Sequence, residues 1–149
     1  MSHLPANQFH SIVALTPLVS IDLIVGNSQG EILLGKRNNR PAQGSWFVPG
    51  GRVLKNERLD DAFKRLTQEE LGLAVTRDKA IFQGIHEHLY EDSVFGETPD
   101  THYVVLVYRI EVNPEDLQLP NEQHSEYSWW TAEDITKDSS VHENTKAYI

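Results

Sequence analysis

The clearest pattern along the chain is a change of hydrophobic period between residues 50 and 60. Before it, apolar and β-branched residues come in short runs. Leu18 to Val25 (LVSIDLIV) carries one charge, Asp22, in an otherwise apolar stretch and predicts a largely buried strand. Gly26-Asn27-Ser28-Gln29-Gly30 predicts a hairpin turn, and Glu31 to Arg37 the returning strand. Asn38 to Ser45, with Pro41 and Gly44, predicts a loop. Trp46-Phe47-Val48 predicts a short buried strand, stopped by Pro49 and a turn at Gly50-Gly51. From Leu59 the period becomes helical: Leu59, Ala62, Phe63, Leu66 and Leu71 recur every three or four residues. Asp60 and Asp61 suit the positive end of that helix. Gly72 is placed to end it in a left-handed conformation.

Two long strands follow, Ala80 to Leu89 and Thr101 to Val112, joined by an acidic loop from Tyr90 to Asp100. Glu126 to Trp130 predicts another strand and then a short acidic turn. Val141 to Ile149 looks like the start of a C-terminal helix, and it stops abruptly, as a truncated chain would. Strands around one strong central helix predict a single α/β domain over residues 1–149. The architecture expected is a mixed sheet in an α/β/α sandwich.

Composition narrows the function classes. With 149 residues, 39% of them apolar, the chain can bury a real core. No apolar run reaches membrane-spanning length, and no secretory signal pattern opens the sequence. A net charge of −9 argues against a general nucleic-acid binder. The absence of cysteine excludes thiolate nucleophiles and thiolate metal sites. A soluble cytoplasmic protein, with neither nucleic-acid nor membrane partners, is therefore expected. An anionic small substrate would need local cations. Arg37, Arg40, Arg52 and Arg65 fall within one third of the sequence.

Chemistry concentrates at the period change. In a helix, residues four apart share a face, as do Arg65 and Glu69, and Leu66 and Glu70. Adjacent Glu69 and Glu70 project about 100° apart. Magnesium takes hard oxygen ligands, often one or two carboxylates together with substrate phosphate oxygens. Gly50-Gly51 lets backbone approach the same ion, because no Cβ intervenes. The competing account of these acids is the solvated face of an amphipathic helix.

The full spacing goes further. Gly51, five residues, Glu57, seven residues, Arg65, then Glu69-Glu70-x-Gly72-Leu73 resembles the Nudix box, here residues 51–73. That family hydrolyses nucleoside diphosphates linked to another moiety and uses a divalent metal. Two positions depart from the pattern: Leu66 stands where the family has an acid, and Thr67 where it has an aliphatic residue. With that acid gone, one metal (Mg2+ or Mn2+) per site is expected, and a base from outside the box.

Outside the box, PLVSIDLIV (17–25), LLGKRNNRPAQGSWFVPGGRV (33–53), THYVV (101–105) and LPNEQH (119–124) are similar to the GDP-mannose mannosyl hydrolases. These are a Nudix subfamily that lacks the same acid. The resemblance implies water attack at the anomeric carbon with inversion, giving GDP and free sugar, and a homodimer. It implies metal ligands at Glu70, the Gly50 carbonyl and Gln123, and a general base at His124, with Glu69 as the alternative base. Arg37 and Arg52 would hold the departing β-phosphate, and Tyr103 would donate a further hydrogen bond. Asp22 and His88 would face the sugar, while Leu4 and Phe9 would meet the nucleotide. Bland alternatives stand beside each role: an Arg65–Glu69 ion pair, a surface histidine at 124, a core aromatic at 103, a buried salt bridge at Asp22. Attack at phosphorus, or nucleotide-sugar binding without turnover, also remains open on these residues.

Overall fold

The computed structural model describes residues 4–120 and 124–149. In chain order the elements are α1 (Ala6–Leu15), β1 (Leu18–Gly26), β2 (Ile32–Arg37), β3 (Trp46–Phe47), β4 (Gly50–Arg52) and α2 (Leu59–Leu71). Then come β5 (Ile81–Tyr90), β6 (Thr101–Glu111), β7 (His124–Trp130), α3 (Ala132–Lys137) and α4 (Glu143–Lys146). The mixed sheet runs β3-β2-β1-β6-β5, with β4 also pairing β1 and β7 pairing β2. β1 and β6 are parallel, and the other pairs are antiparallel.

The two faces of the sheet bury separate cores, because successive strand residues point to opposite sides. Ile21, Leu23 and Val25 of β1 pack with Ala62, Phe63, Leu66 and Leu71 of α2. Ile24 of β1 packs on the other side with Leu34, Phe47, Ile135 and Val141, under α3 and the segment before α4. The expected three layers are present. Gly72 ends α2 at φ 68°, in the left-handed conformation anticipated for it.

Three local expectations are overturned, and one further element has no counterpart among them. Gly50-Gly51 is a strand, antiparallel to Ser20–Asp22 of β1, rather than a turn. Glycine is needed there for closeness. A Cβ on Gly50 would lie 2.4 Å from the Ile21 carbonyl oxygen and 2.5 Å from Asp22 Oδ1. A Cβ on Gly51 would lie 2.5 Å from Leu66 Cδ2. The segment after β7 is the helix α3 rather than an acidic turn, and Thr131 caps it by accepting the Asp134 amide. The first fifteen residues contain helix α1, for which no apolar period gave a signal. β7 begins at His124, two residues before the predicted strand, so His124 belongs to the sheet and not to a surface loop.

Gly50→Ala is expected to lower stability by roughly 2–4 kcal/mol, since its methyl meets backbone that has no room to move. Denaturant unfolding checks this; a loss below about 0.5 kcal/mol would contradict the packing described.

Candidate active site

Three strand registers assemble most of the site. Asp22 of β1 sits opposite Gly50 of β4, Arg37 of β2 opposite His124 of β7, and His88 of β5 opposite Tyr103 of β6. Residues directly opposite in antiparallel strands project to the same face. All six line one cleft of about 320 Å3, together with Phe9, Arg52 and Glu70. Leu4 lies in an adjoining groove with Phe9, Arg52, Arg65, Glu69 and Glu70. Gln123 falls outside the described residues.

Burial sets the protonation states. Glu70, the last acid of α2, is 7% exposed and accepts the Gly50 amide at 3.2 Å. Desolvation pushes its carboxyl up to about 7, against that hydrogen bond and the charge of Arg37. Asp22, also 7% exposed, is pushed to about 7 by the same cause, although the Tyr148 hydroxyl donates to its Oδ2 at 2.5 Å. No salt bridge to Asp22 forms within the described residues, so the ion-pair account of that residue does not hold. Arg37 acts on it only as a nearby charge.

His124 is 2% exposed, and its Nε2 is buried without a hydrogen-bond partner among the described residues. Burial, and then the charge of Arg37, lower its pKa to about 4. At neutral pH the ring is therefore uncharged and able to take a proton. Gly35 makes room for it, since a Cβ there would lie 2.5 Å from ring atoms Cγ and Nδ1. His88 is likewise lowered to about 4 by burial. Tyr103 is half-buried, and desolvation raises its phenol, keeping it a donor.

The cations divide by role. Arg37 donates through Nε to the Pro41 carbonyl at 2.9 Å, which holds the guanidinium at the cleft. Arg52 places its guanidinium 5.0 Å from the centre of the Phe9 ring. Arg40 lines the cleft and lies 3.8 Å from Asp92. Arg65 is an internal brace. Its Nε and Nη2 donate to the two Glu57 oxygens at 2.7 and 2.9 Å, its Nη2 also to the Arg52 carbonyl at 2.9 Å, and its Nη1 to Glu69 at 3.1 Å. The expected Arg65–Glu69 pair is present, but the shorter and less exposed partner is Glu57. This clamp ties the loop before α2 to the helix itself.

Leu66 is 3% exposed and belongs to the core against Gly51. Among the described residues, Glu70 is thus the only box carboxylate that lines the main cleft. No three His, Asp or Glu side chains there converge into a ready-made metal cage. A buried carboxylate with no ion pair among the described residues, beside a glycine pair that leaves no room for a Cβ, fits a hard divalent ion that takes its remaining oxygens from substrate and water. Glu70 and the Gly50 carbonyl are the groups that would hold it.

Sequence inspection missed Tyr148, Tyr90 and Ser93, which belong to or border this site. Tyr148 reaches Asp22 across 126 residues, and no local pattern marks it.

A family model described as NUDIX domain matches residues 16–149. The chain belongs to the Nudix family. Nudix proteins of this kind are hydrolases that generally use a divalent metal. A Haloferax volcanii protein named low-salt glycan biosynthesis protein Agl8 is 40% identical over 125 residues, covering 84% of this chain and 78% of that one. An RNA pyrophosphohydrolase of Novosphingobium aromaticivorans is 29% identical over 121 residues, covering 76% and 74%. Among solved structures, a MutT NUDIX hydrolase from Burkholderia pseudomallei superposes with a TM-score of 0.71 at 27% identity, covering 89% of this chain and 95% of that one. The Methanosarcina mazei MutT protein gives 0.68 at 26% identity, covering 89% and 90%. The Nudix fold with its mixed sheet is therefore established. Among the described residues no helix is long and apolar enough to cross a membrane.

Proposed function

We propose that this Nudix hydrolase cleaves the glycosyl bond of GDP-mannose, or of GDP-glucose, releasing GDP and the free sugar with inversion. One observation carries the proposal. The box carboxylates that could serve as a base are engaged, Glu57 and Glu69 by Arg65, and Leu66 is core, while an uncharged buried histidine from outside the box faces the same cleft. Such a division suits attack at carbon, where GDP leaves well once its charge is neutralised.

Water attacks the anomeric carbon, and its proton passes to His124. The bond from that carbon to the β-phosphate oxygen breaks, and its electron pair leaves with GDP. Arg37 and Arg52 meet the developing phosphate charge with guanidinium groups whose geometry suits phosphate oxygens. Tyr103 adds a neutral donor. A divalent ion held by Glu70, the Gly50 carbonyl and Gln123 would supply charge neutralisation of the diphosphate. Asp22 and His88 lie at the sugar end of the cleft, and Leu4 and Phe9 border the nucleotide end.

The glycan-biosynthesis name of the Haloferax relative fits a sugar-nucleotide substrate. Magnesium or manganese, one ion per site, and a cytoplasmic homodimer complete the proposal. Exposed Ile85 and Leu89, on one face of the edge strand β5, offer a second copy an apolar surface.

The test is hydrolysis of GDP-mannose with magnesium in ¹⁸O-water, followed by mass analysis of GDP and proton NMR of the fresh sugar. Unlabelled GDP and the inverted anomer are expected. Label in a phosphate would assign a pyrophosphohydrolase instead, and binding without turnover would assign a nucleotide-sugar binding module.

A further inference from the structure

Helix α4 and its flanks pack behind the cleft, where Tyr148 contacts two of the lining residues, and none of the chemistry above uses them. The segment is firmly seated. The Trp46 amide donates to the Ser140 carbonyl at 2.9 Å, and the His142 amide to the Trp46 carbonyl at 3.1 Å. Val141 and Thr145 are buried, at 2% and 0% exposure. From this anchor Tyr148 projects its hydroxyl between two site residues, 2.5 Å from Asp22 Oδ2 and 3.0 Å from His88 Nε2. Its ring stacks on His88 at 5.9 Å and meets His86 edge-on at 4.9 Å.

Proton counting gives this contact a consequence. A phenol has one proton and can also accept. With Asp22 in its carboxylate form, which only accepts, Tyr148 donates to it and the phenol lone pair is left for His88. His88 must then carry its proton on Nε2, which leaves Nδ1 as a bare acceptor. Among the described residues, Asp22 Oδ1 accepts no hydrogen bond; it lies on the side of Gly50, where a Cβ would meet it at 2.5 Å. The Tyr148 hydroxyl thereby ties together two residues that both line the cleft, and leaves Asp22 Oδ1 and His88 Nδ1 as their remaining acceptor atoms.

We propose that Tyr148 is a positioning residue that holds Asp22 and His88 as paired acceptors for the hydroxyl groups of a glycosyl moiety. The ligand class is a polyol ring bearing hydroxyl donors, and the assignment rests on the nucleotide-sugar proposal for the same cleft. An accepting pair favours a sugar hydroxyl over the corresponding deoxy position, because a missing donor leaves buried acceptors unpaired.

The decisive experiment compares wild type with Tyr148→Phe. Long-range ¹H–¹⁵N NMR of His88 should show the Nε2–H tautomer in wild type and a shift toward Nδ1–H in the variant. The Kd for GDP should stay within twofold, while the Kd for GDP-mannose rises about tenfold or more. A wild-type His88 protonated on Nδ1 overturns the proposal without any variant. So does a variant with unchanged tautomer and unchanged preference for GDP-mannose over GDP. Should wild type bind GDP-mannose without hydrolysing it, the hydrolase proposal fails, and the tautomer and the two Kd values still decide the role of Tyr148.

Discussion

His124→Gln is expected to lower GDP-mannose turnover by roughly two to four decades. That corresponds to about 3–5 kcal/mol of lost transition-state stabilisation. Glutamine keeps a polar amide of similar reach, but it takes no proton at any working pH. Burial keeps the imidazole uncharged at neutral pH, so the wild-type ring is already in the form a base requires. GDP affinity should be unaffected, since the diphosphate is met by other groups. Single-turnover kinetics with purified protein makes the measurement, and a change under threefold would sink the assignment. A second substitution approaches the same ring from below. Gly35→Ala places a methyl 2.5 Å from Cγ and Nδ1 of His124, so the ring must move. Turnover should fall at least tenfold in that variant with GDP binding retained.

The parts of this site that were legible in the sequence are those written in contiguous residues. The β1–β2 hairpin, the helix from Leu59 and the left-handed Gly72 follow from local period and local conformational preference. Nine candidate site residues, proposed from a family resemblance, converge on one cleft. Where local chemistry was ambiguous, expectation failed. A glycine pair serves a turn or a close backbone approach equally well, and Gly50-Gly51 turned out to be the second. The Thr131-Ala132-Glu133-Asp134 run held the capping signal of α3, but acidic residues there masked it. Register was illegible altogether. That Arg37 lies opposite His124, or His88 opposite Tyr103, depends on which strands pair. Tyr148 is the extreme case, since its partners are 126 and 60 residues away. Leu66 had a visible identity but not a visible consequence. Its side chain enters the core against Gly51, so the cleft loses an acid without gaining an apolar wall.

Glu70→Gln should move activity and stability in opposite directions. Activity falls because the amide carries no charge to hold a divalent ion beside the diphosphate, a contribution of several kcal/mol. A loss of about three decades in kcat/KM is expected at saturating magnesium. Stability of the metal-free protein rises. Burial lifts the folded-state pKa of Glu70 from 4.5 to about 7, so the folded state binds this proton more tightly than the unfolded chain does. The stability contributed by that group is fully present below pH 4.5 and is lost as pH rises through about 7. Asp22 behaves in the same way from 3.8 to about 7. Metal-free wild type should therefore be more stable at pH 5 than at pH 8. Removing one of the two buried acids should shrink that difference. At pH 8 the gain is on the order of 1–3 kcal/mol, or roughly 3–10 °C in Tm for a domain of this size. Thermal unfolding in chelator at the two pH values checks the sign. A Glu70→Gln protein that is less stable than wild type at pH 8 would show that the carboxylate is structural. Glutamine can still accept the Gly50 amide, so the hydrogen bond is conserved and the charge alone is tested. Added magnesium should then raise the Tm of wild type and leave the variant unmoved, because binding to the folded state alone stabilises it by mass action.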